Sequence, residues 1–405
     1  MMQPTQPNER FEILDILRGF ALTGVIIANM AYHSGYFFLP KEAKAAMPLA
    51  DANHIVMWII HFVTDGKFYS IFSILFGIGF GLQIQRAMDK GQRFAGRFSR
   101  RLLILFFIGV FHAFLFYVGD ILTLYALIGF LLLLFRKTSD RWILRLVPVL
   151  LILPVAQYLI MWFPAQNNPA PVDLGDSMFD EVARAYQSGT LGEIIYMNIG
   201  GTFFGRYPDI IFTGRVFKVL ALFLLGFYVA RNRLFANLQQ RRQQIKRLAL
   251  WTFIIGLPCN IALAQMMSSD AYYNMESMGW LQPVVYAFGV PGMGIFYACM
   301  IALMYTKTNL KPLVTVFAPM GRMALTNYLM QSVLSCFVFM SYGWGQTAKM
   351  GPIWFTLISI GVLIFQMVFS DLWLKKFQYG PMEWLWRSMT YGKIQSIKNK
   401  EPAYE

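Results

Sequence analysis

Glu12-Ile-Leu-Asp15-Ile-Leu-Arg18-Gly19-Phe-Ala-Leu-Thr-Gly24-Val-Ile-Ile-Ala-Asn29 opens the first long apolar stretch of the chain and carries two charges inside it. A membrane helix rarely holds ionisable side chains, because each costs a few kcal/mol at bilayer depth. Asp15 and Arg18 stand three residues apart, on one face of a helix, so they can pair. Their presence turns that face toward a polar cavity. Asn29 follows eleven residues after Arg18 on nearly the same face, about 16 Å further along, and His33 lies one turn beyond. The same charges interrupt what would be the apolar region of a signal peptide, and no small-residue cleavage site follows. This helix is therefore expected to remain in the mature protein.

Composition places the helix in a membrane. The 405 residues are 57% hydrophobic and 14% charged, with a mean hydropathy of +0.49, whereas a soluble domain carries about a quarter charged residues. A formal net charge of +14 raises the question of nucleic acid. The basic residues, however, gather in short loops between apolar stretches, as cytoplasmic membrane loops do, and nucleic-acid binding is not expected. Cys259, Cys299 and Cys336 lie in apolar stretches with no pairing or metal-type spacing, and no His/Cys/carboxylate cluster suggests a metal site.

Stretches long enough to span fall at about 13–38, 55–84, 101–118, 120–136, 142–163, 203–230, 248–267, 279–305, 313–341 and 353–374. The reading is an all-α, polytopic membrane protein of about ten transmembrane helices, in a single transmembrane domain over 1–405. The connections 86–101, 136–145 and 231–247 and the segment after the last helix are rich in Arg and Lys. Ten helices put all four on one side with the N-terminus, so both termini are expected in the cytoplasm. Segment 165–200 becomes the long extracytoplasmic loop, long enough for a lid or a short surface helix, and 375–405 a cytoplasmic interfacial segment and tail.

Several polar residues interrupt these stretches. Asp65-Gly66-Lys67 predicts a helix break at Gly66 or a hinge with a local ion pair. Gly77-Ile-Gly79-Phe-Gly81 lies within an apolar helix with no strand before it, so close helix packing is expected rather than a nucleotide loop. His112 precedes Asp120 by eight residues. A histidine with a nearby carboxylate is the composition of a general base, since the carboxylate orients the ring and stabilises its protonated form. The alternative is a satisfied core histidine beside a helix-capping aspartate. Arg206, Asp209, Arg215 and Lys218 line either a vestibule or an amphipathic helix start with snorkelling side chains. Thr326, Asn327 and Gln331 can bond across the bundle, with Arg322 near the cytoplasmic end.

These stretches resemble one family. Leu14-Asp15-Ile-Leu-Arg18-Gly19-Phe-Ala21-Leu-Thr-Gly24…Asn29, Lys67-Phe-Tyr-Ser-Ile-Phe-Ser-Ile-Leu-Phe-Gly77-Ile-Gly79, Gly109…His112…Gly119-Asp120, Gly321-Arg322…Asn327…Gln331-Ser332 and Gly380-Pro-Met-Glu-Trp-Leu-Trp-Arg-Ser-Met-Thr-Tyr-Gly392 follow, in order and over nearly the whole chain, the YeiB family of bacterial inner-membrane proteins. More weakly, the helix 1 motif is similar to two kinds of transmembrane acyltransferase: the acyltransferase-three proteins and the lysosomal heparan-glucosaminide N-acetyltransferase. That similarity implies transfer of an acyl group from cytosolic acyl-CoA, first of all acetyl-CoA, to a hydroxyl or amine acceptor across the membrane. By the same similarity Arg18 would belong to the acyl-donor site and Asn29 would sit by the thioester. Acyltransferase-three proteins carry a catalytic histidine eleven residues after the motif arginine, where this chain has Asn29. The lysosomal enzyme has asparagine there and its histidine further along, so His112 and His33 are the candidate bases here.

The expected site therefore has His112, Asp120, Asn29 and His33 as catalytic candidates. Asp15, Arg18, Arg97, Arg100, Arg101 and Arg322 are candidates to hold the coenzyme A phosphates. Expected partners are membrane lipids and a small-molecule, glycan or lipid acceptor outside a bacterial inner membrane, with a homodimer left open. Intramembrane charges equally mark transport pathways, so a small-molecule or ion transporter is the competing class, and a lipid-binding scaffold without chemistry is the third.

Overall fold

The computed structural model describes residues 11–91, 94–167, 176–269 and 271–399. Their regular structure is helical throughout, and β pairing among them is limited to an isolated bridge between Phe377 and Lys398. Thirteen helices carry the architecture: α1 (Glu12–His33), α2 (Ala50–Val63), α3 (Lys67–Asp89), α4 (Ala95–Leu115), α5 (Leu122–Leu132), α6 (Asp140–Asn167), α7 (Leu191–Gly200), α8 (Arg215–Arg231), α9 (Arg242–Met266), α10 (Leu281–Tyr305), α11 (Ala324–Phe339), α12 (Pro352–Lys376) and α13 (Pro381–Tyr391).

Among the described residues, seven helical stretches are long and apolar enough to cross a membrane: α1, α2 with α3, α4, α6, α9, α10 and α12. An eighth forms if Leu191–Phe212 and α8, bent by 64° at their junction, make one broken span. The two remaining expected spans are shorter. Segment 120–136 contains the eleven-residue α5 and a 3-10 turn, and 313–341 divides into Lys311–Thr315, Ala318–Arg322 and α11. Apolar composition sets where a stretch can sit, whereas a break within it depends on local turns. The expected break at Gly66 is present: Gly66 adopts φ +77° and α3 starts behind it. Gly214, at φ +60°, makes the second break, before α8. Of the expected outer loop 165–200, residues 168–175 lie outside the described residues, as do Gln92 and Arg93 of the basic loop and 400–405 of the tail. The described part of that loop is helical, with Asp176–Ser188 followed by α7.

Burial sorts the helices into an inner and an outer set. In its most apolar window α1 is 61% buried, against 22% for α6 and 28% each for α9 and α12. The outer helices present Trp142, Ile152, Ile160, Trp251, Ile255, Trp354, Leu357, Ile364 and Leu372, an apolar surface far larger than a protein in water carries.

The inner helices approach at glycines. A Cβ on Gly321 would lie 1.8 Å from the Asp15 carbonyl oxygen, and one on Gly19 would lie 2.0 Å from that of Phe317. Gly77 and Gly226 meet the backbones of Phe223 and Ile74 in the same way, so α3 and α8 touch backbone to backbone. Gly81 packs on Ala230 while Gly79 faces open space; the glycine run is a packing device, as expected. In lipid, where apolar contact alone gives no drive to associate, close approach of this kind supplies the packing energy.

Candidate functional site

His112 lies in the last turn of α4 and Asp120 lies just beyond it, across the turn Tyr117–Asp120. That turn folds the carboxylate back on the ring: Asp120 Oδ1 is 2.9 Å from His112 Nδ1. The other carboxylate oxygen accepts from the Thr123 backbone N–H at 2.8 Å and from its hydroxyl at 3.0 Å. Held from both sides, Asp120 has one orientation available. The second ring nitrogen, Nε2, is 2.9 Å from Ser332 Oγ on α11, 220 residues further along the chain. His112, Asp120 and Ser332 are each at most 2% exposed. Serine, imidazole and carboxylate in this order form the constellation that activates a hydroxyl in unrelated folds, and geometry rather than sequence order defines it.

Aromatic rings close the site. Tyr328, one turn before Ser332, lies 5.0 Å from the His112 ring, and Tyr117 lies 6.3 Å from it. Tyr117 is stacked on His33 at 4.5 Å. His33 is buried, and its Nδ1 has no hydrogen-bond partner among the described residues. The structure thus brings His112, Asp120 and His33 together around Tyr117. Asn29, part-buried one turn before His33 on α1, enters none of these hydrogen bonds.

The cationic candidates gather at the opposite end of the same helices. Arg101 stacks on Trp386 at 3.8 Å, and the Trp386 indole donates to the Arg101 carbonyl at 2.9 Å. Arg97 lies over Tyr391 at 5.6 Å, and the Arg100 guanidinium packs against Gly392. Arg18 and Arg387 lie within electrostatic range of Arg101. Arg18 bonds Asp15 at 2.8 Å, so the pair that interrupts the first apolar stretch is real. Arg97 Nη1 is buried without an acceptor among the described residues. Arg322 ends the short helix Ala318–Arg322 on α1.

Residues far apart in sequence fasten α11 in place. Glu383 of α13 accepts from the backbone N–H groups of Leu325 and Thr326 at 2.6 and 3.2 Å and from the Thr326 hydroxyl at 2.6 Å. It caps α11 from 57 to 58 positions away. Burial pushes its carboxyl above the ordinary value, against the opposing pull of these hydrogen bonds. Within the bundle, Asn327, Gln331, Gln366 and Ser370 form a buried ladder between α11 and α12, and Gln331 donates to the Leu22 carbonyl of α1.

Sequence reasoning missed Ser332, Tyr117, Tyr328 and Glu383 as parts of these sites. Thr326, Asn327, Gln331, Ser332 and Ser335 make an unusually polar face on an apolar helix, which marks the helix but not the partner of each residue. Asp65 hydrogen-bonds His61 at 2.5 Å, while Lys67 donates to the His61 carbonyl at 2.8 Å; the near partner of Asp65 is thus histidine and not the lysine expected. Among the described residues, no three His, Cys, Asp or Glu side chains gather as metal ligands would.

Fold and site together define a multi-pass membrane protein with a buried Ser–His–Asp constellation between its helices. Residues 229–393 match the family described as protein of unknown function DUF418. The chain is 34% identical over 419 residues to the uncharacterized protein YxaH of Bacillus subtilis (strain 168), with 98% of each chain covered. It is 28% identical over 413 residues to an uncharacterized 39.9 kDa protein in the amylase 3' region of Bacillus acidopullulyticus, covering 99% of this chain and 100% of the other. With the uncharacterized protein YeiB of Escherichia coli (strain K12) it shares 26% identity over 391 residues, 94% of this chain and 96% of the other. The chain belongs to the YeiB family.

Proposed function

We propose that this protein transfers an acyl group from cytosolic acyl-CoA, acetyl-CoA being the first donor to test, to a hydroxyl or amine acceptor on the outer side of a bacterial inner membrane. The observation that carries the reading is His112, fixed by Asp120 on one ring nitrogen and meeting a hydroxyl on the other. A ring so held has its acceptor nitrogen aimed at one point, which is what a general base requires.

The arginine end supports the donor side of the reading. Arg18 precedes Asn29 on α1 by eleven residues, and Arg101 precedes His112 on α4 by eleven. Two helices thus each hold a cation about 16 Å from a candidate reacting group. Coenzyme A phosphates suit Arg97, Arg100, Arg101 and Arg18, and the orphaned Arg97 Nη1 fits that role because guanidinium donors match phosphate oxygens. On this reading the arginine end faces the cytoplasm with both termini, the side to which the positive-inside rule assigns Arg- and Lys-rich loops.

With the Ser332 hydroxyl rotated off Nε2, the acceptor O–H or N–H takes its place beside His112 and attacks the thioester carbon. His112 Nε2 receives the proton, the C–S bond breaks, and the imidazolium returns the proton to the departing thiolate. Asp120 stabilises the imidazolium. Asn29 is assigned to the developing oxyanion, for which an amide N–H is a suitable donor.

Purified protein in proteoliposomes, incubated with radiolabelled acetyl-CoA and membrane extract, tests the reading. Wild type is expected to release CoA and label an extract component, and Arg97→Gln with Arg101→Gln is expected to raise KM for the donor. Absence of CoA binding and release in wild type, or equal turnover in His112→Ala, refutes it.

A further inference from the structure

At the broken span, three cations face one carboxylate. Asp209 accepts from Arg206 at 3.3 Å and lies 3.7 Å from Arg215. Lys218, 7% exposed, has no carboxylate within ion-pair distance among the described residues, and its ammonium rests over the Tyr286 ring at 3.9 Å. Arg215 and Asp209 both lie within its electrostatic range. Arg206 Nε is buried without an acceptor among the described residues.

Tyrosine hydroxyls surround these charges. Tyr286 donates to Tyr69 at 3.0 Å, Arg215 lies over the Tyr69 ring, and Tyr273 is within electrostatic range of Arg206 and Arg215. The neighbouring carboxylate, Asp65, is occupied by His61. One carboxylate shared by Arg206 and Arg215, with the Lys218 amine beside them, leaves a buried excess of positive charge that an anion would offset. The break at Gly214 contributes in the same direction, because α8 begins there with its positive dipole end and Arg215 in its first turn.

From this juxtaposition we propose that Arg206, Arg215 and Lys218 bind the phosphate of a phosphomonoester lipid. A phosphate offers oxygen acceptors to all three side chains at once, whereas a carboxylate offers only two oxygens. The lipid form follows from the adjoining surface: Met161, Phe203, Tyr207, Ile211 and Phe212 line a mostly apolar groove of about 510 Å³ on the outside of the same bent segment. Two of its lining residues, Phe203 and Tyr207, flank Arg206 in the chain, so acyl chains held there bring a phosphate toward that cation. The site also borders the His112 constellation, since Arg206 donates to the carbonyl of Gly119, next to Asp120, at 3.5 Å. That such a lipid is the acyl acceptor, or carries it, rests on the transfer reading; its binding does not.

The test is native mass spectrometry and thermal shift on the full chain in neutral detergent, titrated with dioleoyl phosphatidic acid, dioleoyl phosphatidylcholine or glycerol phosphate. Phosphatidic acid is expected to bind at least tenfold more tightly than phosphatidylcholine. Lys218→Met and Arg206→Gln should each reduce that preference at least fivefold, while Arg206→Lys retains most of it and serves as the folded control. Equal binding of the two lipids overturns the proposal. So does an unchanged preference in the neutral variants, or a full shift produced by glycerol phosphate alone. If phosphatidic acid binds as expected while His112→Ala leaves CoA release unchanged, the lipid site stands and the transfer reading falls.

Discussion

Replacing Asp120 with Asn changes one atom and tests the whole constellation. Thr123 donates its backbone N–H to one carboxylate oxygen at 2.8 Å, so the amide oxygen of an asparagine must stay on that side. Its NH2 group then faces His112 Nδ1, now 2.9 Å from Asp120 Oδ1. A donor there requires Nδ1 to be the unprotonated nitrogen, which moves the ring proton to Nε2, where it points at Ser332 Oγ. A protonated Nε2 cannot accept the acceptor's proton. In serine hydrolases the equivalent change lowers turnover by about 10⁴-fold; a loss of 10³–10⁴-fold, about 4–5 kcal/mol of barrier, is expected here. Stability should suffer much less, by about 1–3 kcal/mol, because shape is kept and only charge-assisted hydrogen bonds weaken. The assay is CoA release in proteoliposomes beside a thermal-unfolding curve in detergent. Turnover within about tenfold of wild type, from a folded variant, refutes the assignment of His112 as an oriented base.

Ser332→Ala should retain turnover within about tenfold, because the hydroxyl marks where the acceptor arrives; a loss as deep as that of His112→Ala, with an acyl adduct on Ser332 in wild-type peptide mass spectra, would instead make Ser332 a nucleophile. Gly321→Ala is expected to abolish folded protein in detergent, since its Cβ would stand 1.8 Å from the Asp15 carbonyl oxygen and neither backbone can yield; monodisperse protein with wild-type Tm would refute the packing argument. Glu383→Ala strips the cap from α11 and should cost about 1–3 kcal/mol, read as a lower Tm. Because burial raises the Glu383 carboxyl in the folded state, the folded protein binds its proton more readily than the unfolded chain. Its contribution to stability is therefore largest at low pH, declines as pH rises from the ordinary carboxylate value to the raised one, and is flat above. A Glu383→Gln variant should lose that dependence; an unchanged Tm profile between pH 4 and 7 would show that Glu383 does not titrate this way.

The sequence by itself determined the class of this protein. Its apolar stretches are long enough to cross a bilayer, and their positions agree with the helices because hydropathy acts on each segment locally. It also marked Asp15 with Arg18, and His112 with Asp120, since spacings of three and eight residues are short enough for local geometry to join them. The tertiary structure decided the rest. Where a stretch breaks depends on single turns, as at Gly66 and Gly214, or on the division of 313–341 before α11, and average hydropathy is blind to these. Asp120 could have pointed anywhere after its turn; Thr123 on one oxygen and His112 on the other chose its direction. Ser332 stands 220 residues from His112 and Glu383 nearly sixty from the N–H groups it caps, so no local pattern could pair them. Helices that lie side by side in a bundle need not be neighbours in the chain, and only their packing brings such residues within hydrogen-bond distance.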